Sequence, residues 1–112
     1  MVSGQDVNAE NRTNCWYGIE VEYGDACSNG SCTNPALSPF QSVPPGTTRT
    51  VTLPSGKVPC RITFYELDGL FWTTLMSPCQ RWECGTTFYC EYDCNGNPIT
   101  IEANGYSVKF TP

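Results

Sequence analysis

The sequence predicts an all-β fold, an antiparallel β-sandwich of about seven short strands that is immunoglobulin-like or transthyretin-like in architecture and rich in disulfides. The first observation is that short runs of β-branched and aromatic residues alternate with clusters of Gly, Pro, Asn and Ser along the whole chain. The second is that no segment has a convincing apolar period of 3.6 residues. The third is that 8 of the 112 residues are cysteines. Together these features favour one disulfide-stabilised β domain.

The predicted elements follow one another with little regular structure between them. Residues 1–14 are polar and are predicted to be a flexible N-terminal arm, and residues 15–112 to be a single β-sandwich domain. Within the domain, the predicted strands are 15–23, 47–53, 60–67, 70–76, 86–94, 98–103 and 106–111.

Alternation predicts which side chains of these strands enter the core. In the first strand, Gly18, Glu20 and Glu22 are predicted to lie on the outer face. The residues predicted to point inward from the first strand and from the last two are Tyr17, Ile19, Val21, Tyr23, Ile99, Ile101, Val108 and Phe110.

Residues 24–46 are crowded with Gly, Ser, Asn and Pro and are predicted to form a long loop. Asn29 and Gly30 indicate a small turn between Cys27 and Cys32. A local bridge between these two cysteines would hold such a loop in place, although eight cysteines allow 105 pairings and the sequence does not choose among them.

The stretch 64–75, FYELDGLFWTTL, is the clearest hairpin in the sequence. Asp68 and Gly69 fit a two-residue type I′ turn, because both central positions of that turn need a positive φ. The turn sets a register in which Tyr65 faces Trp72. One face of the hairpin then carries Ile62, Phe64, Phe71 and Leu75, and the other carries Thr63, Tyr65, Leu67, Leu70, Trp72 and Thr74.

The second of these faces is the candidate binding surface, with Tyr65, Leu67, Leu70 and Trp72 as its predicted contact residues. Cross-strand aromatic side chains offer a large flat surface with few rotatable bonds, which suits a protein partner, self-association or the apolar side of a sugar ring. The plainer interpretation is that another part of the same chain, 77–85 or 36–43, covers this face.

The cysteines predict an oxidising compartment, because eight thiols are unusual in a reducing cytosol. Four disulfides are expected, and the spacings are wider than the Cys-x2-Cys pattern of zinc sites, so no metal is expected. We therefore expect a secreted or extracellular protein, at the cell surface or in the periplasm. The cysteines are Cys15, Cys27, Cys32, Cys60, Cys79, Cys84, Cys90 and Cys94.

Composition also excludes several classes of function. The chain has no histidine, so the common hydrolase and metalloenzyme sites cannot be built, and neither an enzyme nor a cofactor is expected. A net charge of −5 disfavours nucleic acid and anionic membranes as partners, and no apolar run is long enough for membrane insertion. Glu20 with Glu22 as a carboxylate pair, and Asp93 in a calcium-like turn, are weak candidates, because a solvated strand face and turn chemistry explain them.

Two further interpretations remain open from the sequence. A bridged loop at 77–85 would suit a small protease inhibitor or effector, with Gln80, Arg81 and Trp82 as its contact residues. The layout in which Pro44-Pro45-Gly46 opens a strand and Gly105-x-x-Val108-x-Phe110 closes the chain resembles that of small secreted bacterial β-sandwich modules. That resemblance implies an architecture and no functional residue.

Overall fold

The computed structural model describes residues 6–28, 31–68, 72–76, 88–103 and 107–112, and the side chains of all of these except 28, 72–76 and 88–92. These residues form β-strands joined by turns, with no helix among them. The strands are β1 (Asp6–Asn11), β2 (Tyr17–Gly24), β3 (Cys27–Ser28), β4 (Ser31–Cys32), β5 (Ala36–Leu37), β6 (Gln41–Val43), β7 (Thr48–Thr52), β8 (Val58–Glu66), β9 (Trp72–Met76), β10 (Phe88–Tyr92), β11 (Pro98–Ala103) and β12 (Ser107–Thr111).

The strands are arranged in two main sheets. Sheet A has the order β10-β11-β12-β1-β7, and sheet B has the order β5-β2-β8-β9, with β6 also paired to β2. The short strands β3 and β4 form a separate two-stranded hairpin. All pairings are antiparallel except that of β1 with β12, which is parallel. The prediction of an all-β, disulfide-bonded chain is thus confirmed.

All seven predicted strands are present, and the predicted register of the 64–75 hairpin is confirmed where the structure describes it. Tyr65 faces Trp72 and Phe64 faces Thr73. Gly69, the second residue of the predicted turn, lies outside the described residues. Because side chains alternate along a strand, this register places Phe64 towards the interior and Tyr65 on the outer face.

The N-terminal segment differs from its prediction, because residues 6–11 form a central strand and not part of a flexible arm. Strand β1 lies between β12 and β7, and its side chains Val7 and Ala9 are fully buried. Only these two apolar residues alternate with Asp, Asn and Glu, so the pattern is too short and too polar to predict a strand. Its pairing partners, β7 and β12, are distant in the sequence, so a local pattern cannot predict the pairing.

Residues 24–46 are also more regular than the predicted loop, since they contain β3, β4, β5 and β6. Cys27 and Cys32 face each other across the β3–β4 hairpin, yet the suggested bridge between them is wrong: Cys32 is bonded to Cys60. Cys27 is disulfide-bonded as well. Neighbouring position in a hairpin therefore does not decide the pairing here, because β8 brings Cys60 within bonding distance of Cys32.

Two disulfides are described in full, and each joins parts of the chain that are distant in sequence. Cys15–Cys94 spans 79 residues and links the start of β2 in sheet B to the turn that follows β10 in sheet A. Cys32–Cys60 spans 28 residues and ties the β3–β4 hairpin to β8. The expected disulfide chemistry is confirmed for these cysteines.

Side chains of both sheets contribute to one core among the described residues. Phe110 of sheet A stacks on Tyr17 of sheet B at 4.5 Å between ring centroids, and Phe64 meets the same Phe110 ring edge-on at 5.4 Å. The side chains predicted to point inward are buried, apart from Tyr23, which is half-buried against the core. The largest fully buried side chains are Phe64, Phe110, Ile19, Leu53, Ile62, Ile101, Val7, Val21, Val43, Val108 and Asn11.

The chain crosses between the sheets at two turns that contain proline and glycine. After β6 of sheet B, the Thr47 N–H donates to the Pro44 carbonyl at 3.2 Å, and Gly46 has a φ of 69°. After β7 of sheet A, the Lys57 N–H donates to the Pro54 carbonyl at 3.2 Å, and Gly56 has a φ of 80°. A positive φ at the third position is the requirement of a type II turn, which explains both glycines.

The candidate binding face

The outer face of sheet B is formed by the side chains that alternate with the core residues of β2 and β8. It also includes Leu37, which pairs with Glu22, and Phe40, which packs on Gly18. Trp16 and Leu67 continue β2 and β8 by one pair. The residues are Trp16, Gly18, Glu20, Glu22, Leu37, Phe40, Arg61, Thr63, Tyr65 and Leu67.

Phe40 reaches this face because the chain beside β2 contains one extra residue. Between the pairs Glu22–Leu37 and Ile19–Gln41, two residues of β2 face the three residues 38–40. Ser38 closes the gap, since its N–H donates to the Val21 carbonyl at 2.8 Å and its hydroxyl accepts from the Val21 N–H at 3.0 Å. Such an insertion bends a strand and redirects the following side chain.

The Phe40 ring packs on Gly18 and against Tyr65. A Cβ added at Gly18 would overlap ring atoms of Phe40, so the absence of a side chain at position 18 is what makes room for the ring. Phe40 meets Tyr65 edge-on, with 5.5 Å between ring centroids and an interplanar angle of 69°. The edge-on arrangement is a favourable geometry for two aromatic rings and holds Phe40 in place while leaving it 47% exposed.

Tyr65 is held in turn by Glu20. Its hydroxyl donates a hydrogen bond to the Glu20 carboxylate on the neighbouring strand. That hydrogen bond, followed by desolvation and by the negative charge of Glu20, raises the pKa of Tyr65 to about 12. The tyrosine is therefore neutral and fixed across the physiological pH range, so Phe40, Tyr65 and Glu20 form one ordered array.

Trp16 and Leu67 lie at one end of the outer face of sheet B. The Leu67 N–H donates to the Trp16 carbonyl at 2.9 Å, which continues the β2–β8 ladder by one pair. The Trp16 N–H donates to the Asp68 carboxylate at 2.8 Å. The backbone at these two apolar residues is thus fixed although their side chains are exposed.

The exposed apolar residues are concentrated on this one surface. Among the side chains that the structure describes, the large apolar ones that are exposed are Trp16 (44%), Leu37 (63%), Phe40 (47%) and Leu67 (42%), and all four belong to the outer face of sheet B. The outer face of sheet A is polar in its described part, with Asp6, Asn8, Glu10, Thr48, Thr50, Thr52, Thr100, Glu102, Lys109 and Thr111. Apolar residues clustered on one side, and not scattered singly, are typical of an interaction surface.

The structure places part of the predicted binding set on this face. Tyr65 and Leu67 lie on it, whereas only the backbone of Trp72 is described, opposite Tyr65, and Leu70 lies outside the described residues. The residues that the sequence did not single out are Trp16, Leu37 and Phe40. Trp16 had a usable signal, because it continues the alternation of Gly18, Glu20 and Glu22; Phe40 had none beyond its place in the segment 36–43.

Of residues 36–43, which were suggested to cover the hairpin face, Phe40 contacts that face. Strands β5 and β6 lie beside β2 as an extension of sheet B, and the Phe40 ring packs edge-on against Tyr65. The other suggested cover, 77–85, lies outside the described residues, and so does the alternative loop site with Gln80, Arg81 and Trp82. The cysteines Cys79 and Cys84 and the side chain of Cys90 lie outside the description as well.

The weaker candidates from the sequence have other roles in the structure. The Asp93 carboxylate accepts the N–H groups of Asn95 and Asn97, both at 2.8 Å, so it stabilises its own turn. Cys15, Cys94 and Asp68 bring potential metal-ligand atoms within 4.8 Å of one another, but the two sulfurs are bonded to each other and offer no thiolate. The Glu20 carboxylate accepts the Tyr65 hydroxyl, which gives Glu20 a structural role and argues against a catalytic pair with Glu22.

Comparisons of the chain with protein-family models, with curated protein sequences and with solved structures found no match. No helix long and apolar enough to cross a membrane occurs among the described residues.

Proposed function

We propose that this chain is a secreted, non-catalytic binding module that docks a protein partner on the outer face of sheet B. The observation that carries the proposal is the concentration of Trp16, Leu37, Phe40 and Leu67 on one sheet face. Docking would remove these side chains from water, which is the main source of favourable free energy in protein association.

The ordered state of the face supports the same proposal. Phe40 is held by Gly18 and Tyr65, and Tyr65 is held by Glu20, so little side-chain entropy would be lost on binding. Aromatic anchors on a rigid support are the residues that carry most of the free energy at protein interfaces. Glu20 and Glu22 would favour a partner that presents basic groups around an apolar centre.

We further propose that the two sheets form a β-sandwich with immunoglobulin-like or transthyretin-like architecture, and that the protein works outside the cell as a surface, adhesive or structural component. The shared core around Phe110 supports the first statement. The disulfides Cys15–Cys94 and Cys32–Cys60 support the second, since such bonds persist in oxidising compartments.

A second candidate is a carbohydrate ligand on the same face. It is favoured by the carboxylate of Glu20 beside the rings of Phe40 and Tyr65, because sugar sites combine a ring for the C–H side of a pyranose with acceptors for its hydroxyl groups. Against it, the Glu20 carboxylate already accepts the Tyr65 hydroxyl.

The experiment is a selection of displayed random peptides on the immobilised, oxidised protein, followed by binding of the enriched peptides to variants. We expect enriched peptides to lose at least tenfold in affinity for Phe40→Ser and to bind Glu102→Gln, a control on the outer face of sheet A, as they bind wild type. Equal affinity for wild type and Phe40→Ser would refute a protein-docking face. Retardation in polyacrylamide gels containing soluble polysaccharide, lost in Phe40→Ser, would instead favour the carbohydrate candidate.

A further inference from the structure

Sheet A ends at β7 with an edge to which no other described strand is paired. Strand β7 pairs with β1 along its whole length, and the order of the sheet stops there. The edge belongs to sheet A, whereas the proposed binding face is the outer face of sheet B, so pairing at the edge does not depend on the proposed function.

The hydrogen-bonding groups of this edge follow from the antiparallel pattern. The Asn11 N–H donates to the Thr47 carbonyl at 2.9 Å, so residue 47 directs its backbone groups towards β1. Because hydrogen-bonded and non-bonded pairs alternate, Arg49 and Val51 also direct theirs towards β1. The N–H and C=O groups of Thr48, Thr50 and Thr52 therefore point away from the sheet, as three donors and three acceptors in a row.

The edge has one charged residue, Arg49, and otherwise lacks the features that prevent strand pairing. Natural edge strands are protected by charged side chains, above all lysine, by proline or by a bulge. Residues Thr48–Thr52 contain no lysine and no proline, and their pairing with β1 has no register shift. Four of the five are β-branched, and four are exposed, so the strand suits pairing and is accessible to it.

We propose that a second copy of this chain pairs antiparallel with β7 about a twofold axis at Thr50. In this arrangement Thr50 faces the partner's Thr50, Thr48 faces the partner's Thr52, and Arg49 faces the partner's Val51. The two copies of sheet A then form one continuous sheet of ten strands.

Of the twofold axes within β7 that keep the backbone groups aligned, only the axis at Thr50 lets all five residues of the strand meet strand residues. An axis at Arg49 places Arg49 opposite itself, and an axis at Val51 places the partner's Pro54 opposite Thr48. A twofold axis at Thr48 places the partner's Pro44 opposite Thr52, and an axis at Thr52 places the partner's Pro54 opposite Thr50. Proline has no N–H to donate, so both shifts lose pairing at the end. With the axis at Thr50, all five residues of the strand meet strand residues.

Charge does not oppose the pairing of two copies in this register. Arg49 is the one charged residue of β7, and the Thr50 register places it opposite Val51 and not opposite itself. No like charges therefore face each other across the axis, which would be destabilising. The Thr50 hydroxyl donates to Asn8 at 2.8 Å, which orients its methyl group and leaves the backbone free to pair. An interface of one strand pair is small, so the dimer should form only at high protein concentration.

The test is the solution mass by sedimentation equilibrium from micromolar to millimolar protein, for wild type, Thr50→Lys and Thr50→Glu. We expect the wild-type mass to rise from 12.4 kDa towards twice that value and no further. Each variant should stay monomeric, because it places a charge opposite the same charge. An equimolar mixture of the two variants should dimerise again, because Lys then faces Glu. Far-ultraviolet circular dichroism checks that both variants are folded.

Matched controls separate this edge from the apolar face. Asn14→Lys, which adds the same charge at an exposed position outside β7, should keep the dimer, and so should Phe40→Ser. A wild-type mass that stays at 12.4 kDa at millimolar concentration overturns the proposal. So does a mixture of Thr50→Lys and Thr50→Glu that remains monomeric, or a dimer lost in Phe40→Ser and kept in Thr50→Lys.

Discussion

The Phe40 ring occupies the space that a β-carbon on Gly18 would fill. This contact orders the centre of the apolar face, because Phe40 is then held between β2 and Tyr65. A small substitution at position 18 should therefore displace the Phe40 ring and lower the stability of the protein.

Gly18→Ala should destabilise the protein by about 1–3 kcal/mol, the usual cost of forcing a methyl group into occupied space. The measurement is the midpoint of guanidinium unfolding under oxidising conditions. In a Phe40→Ala background the ring is absent, so the same substitution should be neutral or stabilising by about 0.5 kcal/mol, since alanine lowers the entropy of the unfolded chain. An equal cost in both backgrounds would contradict the contact.

The hydrogen bond from Tyr65 to Glu20 predicts an abnormal tyrosine titration. Because the pKa of Tyr65 is raised to about 12 in the folded state, against an ordinary value of 10.0, the stabilisation is complete below pH 10 and is lost as the pH rises towards 12. Absorbance titrations of wild type and Tyr65→Phe should differ by one tyrosine, and this tyrosine should ionise at a higher pH than an ordinary one. Glu20→Gln should lower the pKa of Tyr65; an unchanged difference spectrum would show that Glu20 is not the cause.

The sequence predicts the local part of this fold well. The seven strands it predicts are present because each has its own alternation, as in Tyr17, Ile19 and Val21. The register that Asp68-Gly69 predicts is confirmed for β8 with β9. What local patterns do not report is pairing between distant segments. Strand β1 is buried only because β7 and β12 flank it, and Cys32 meets Cys60 only because β8 lies beside the β3–β4 hairpin.

The candidate site was predicted in part for the same reason. Tyr65 and Leu67 follow from alternation along β8, whereas Phe40 depends on the extra residue at 38–40 and on a glycine in another strand. A contact of this kind needs the register of β2 with both β5 and β6, which the Pro-rich sequence of the segment does not define. The exposed apolar surface is therefore larger than the hairpin alone predicts.

The two described disulfides should differ in their contribution to stability. In the chain-entropy description, closing 79 residues contributes about 4.5 kcal/mol and closing 28 about 3.5 kcal/mol. Cys15→Ala with Cys94→Ala should thus lower the free energy of unfolding more than Cys32→Ala with Cys60→Ala. The measurement is urea unfolding of both double variants without reductant. The reverse order would indicate that strain or structure in the unfolded chain dominates.

The stability of the protein should depend strongly on the buried side-chain amide of Asn11. Its Nδ2 donates to the carbonyls of Cys15 at 2.7 Å and Val43 at 2.9 Å, and its Oδ1 accepts the N–H and hydroxyl of Thr13 at 2.9 and 2.7 Å. This single side chain joins the end of β1 to β6 and to the segment that leads into β2. Asn11→Ala removes these four hydrogen bonds at a buried position and should cost about 3 kcal/mol.

Asn11→Asp tests the direction of the hydrogen bonds, because a carboxylate cannot donate to the two carbonyls. Burial and the facing carbonyl oxygens would raise the pKa of the new carboxyl group in the folded state, so the destabilisation grows as the pH rises through about 3.9, the ordinary aspartate value. We expect a cost of about 3 kcal/mol or more at pH 7 and a smaller one at acidic pH, where the protonated carboxyl donates one bond. Asn14→Asp adds the same charge at an exposed position and should change stability little. If both variants unfold at the same denaturant concentration at pH 7, the amide of Asn11 does not hold β1 in place.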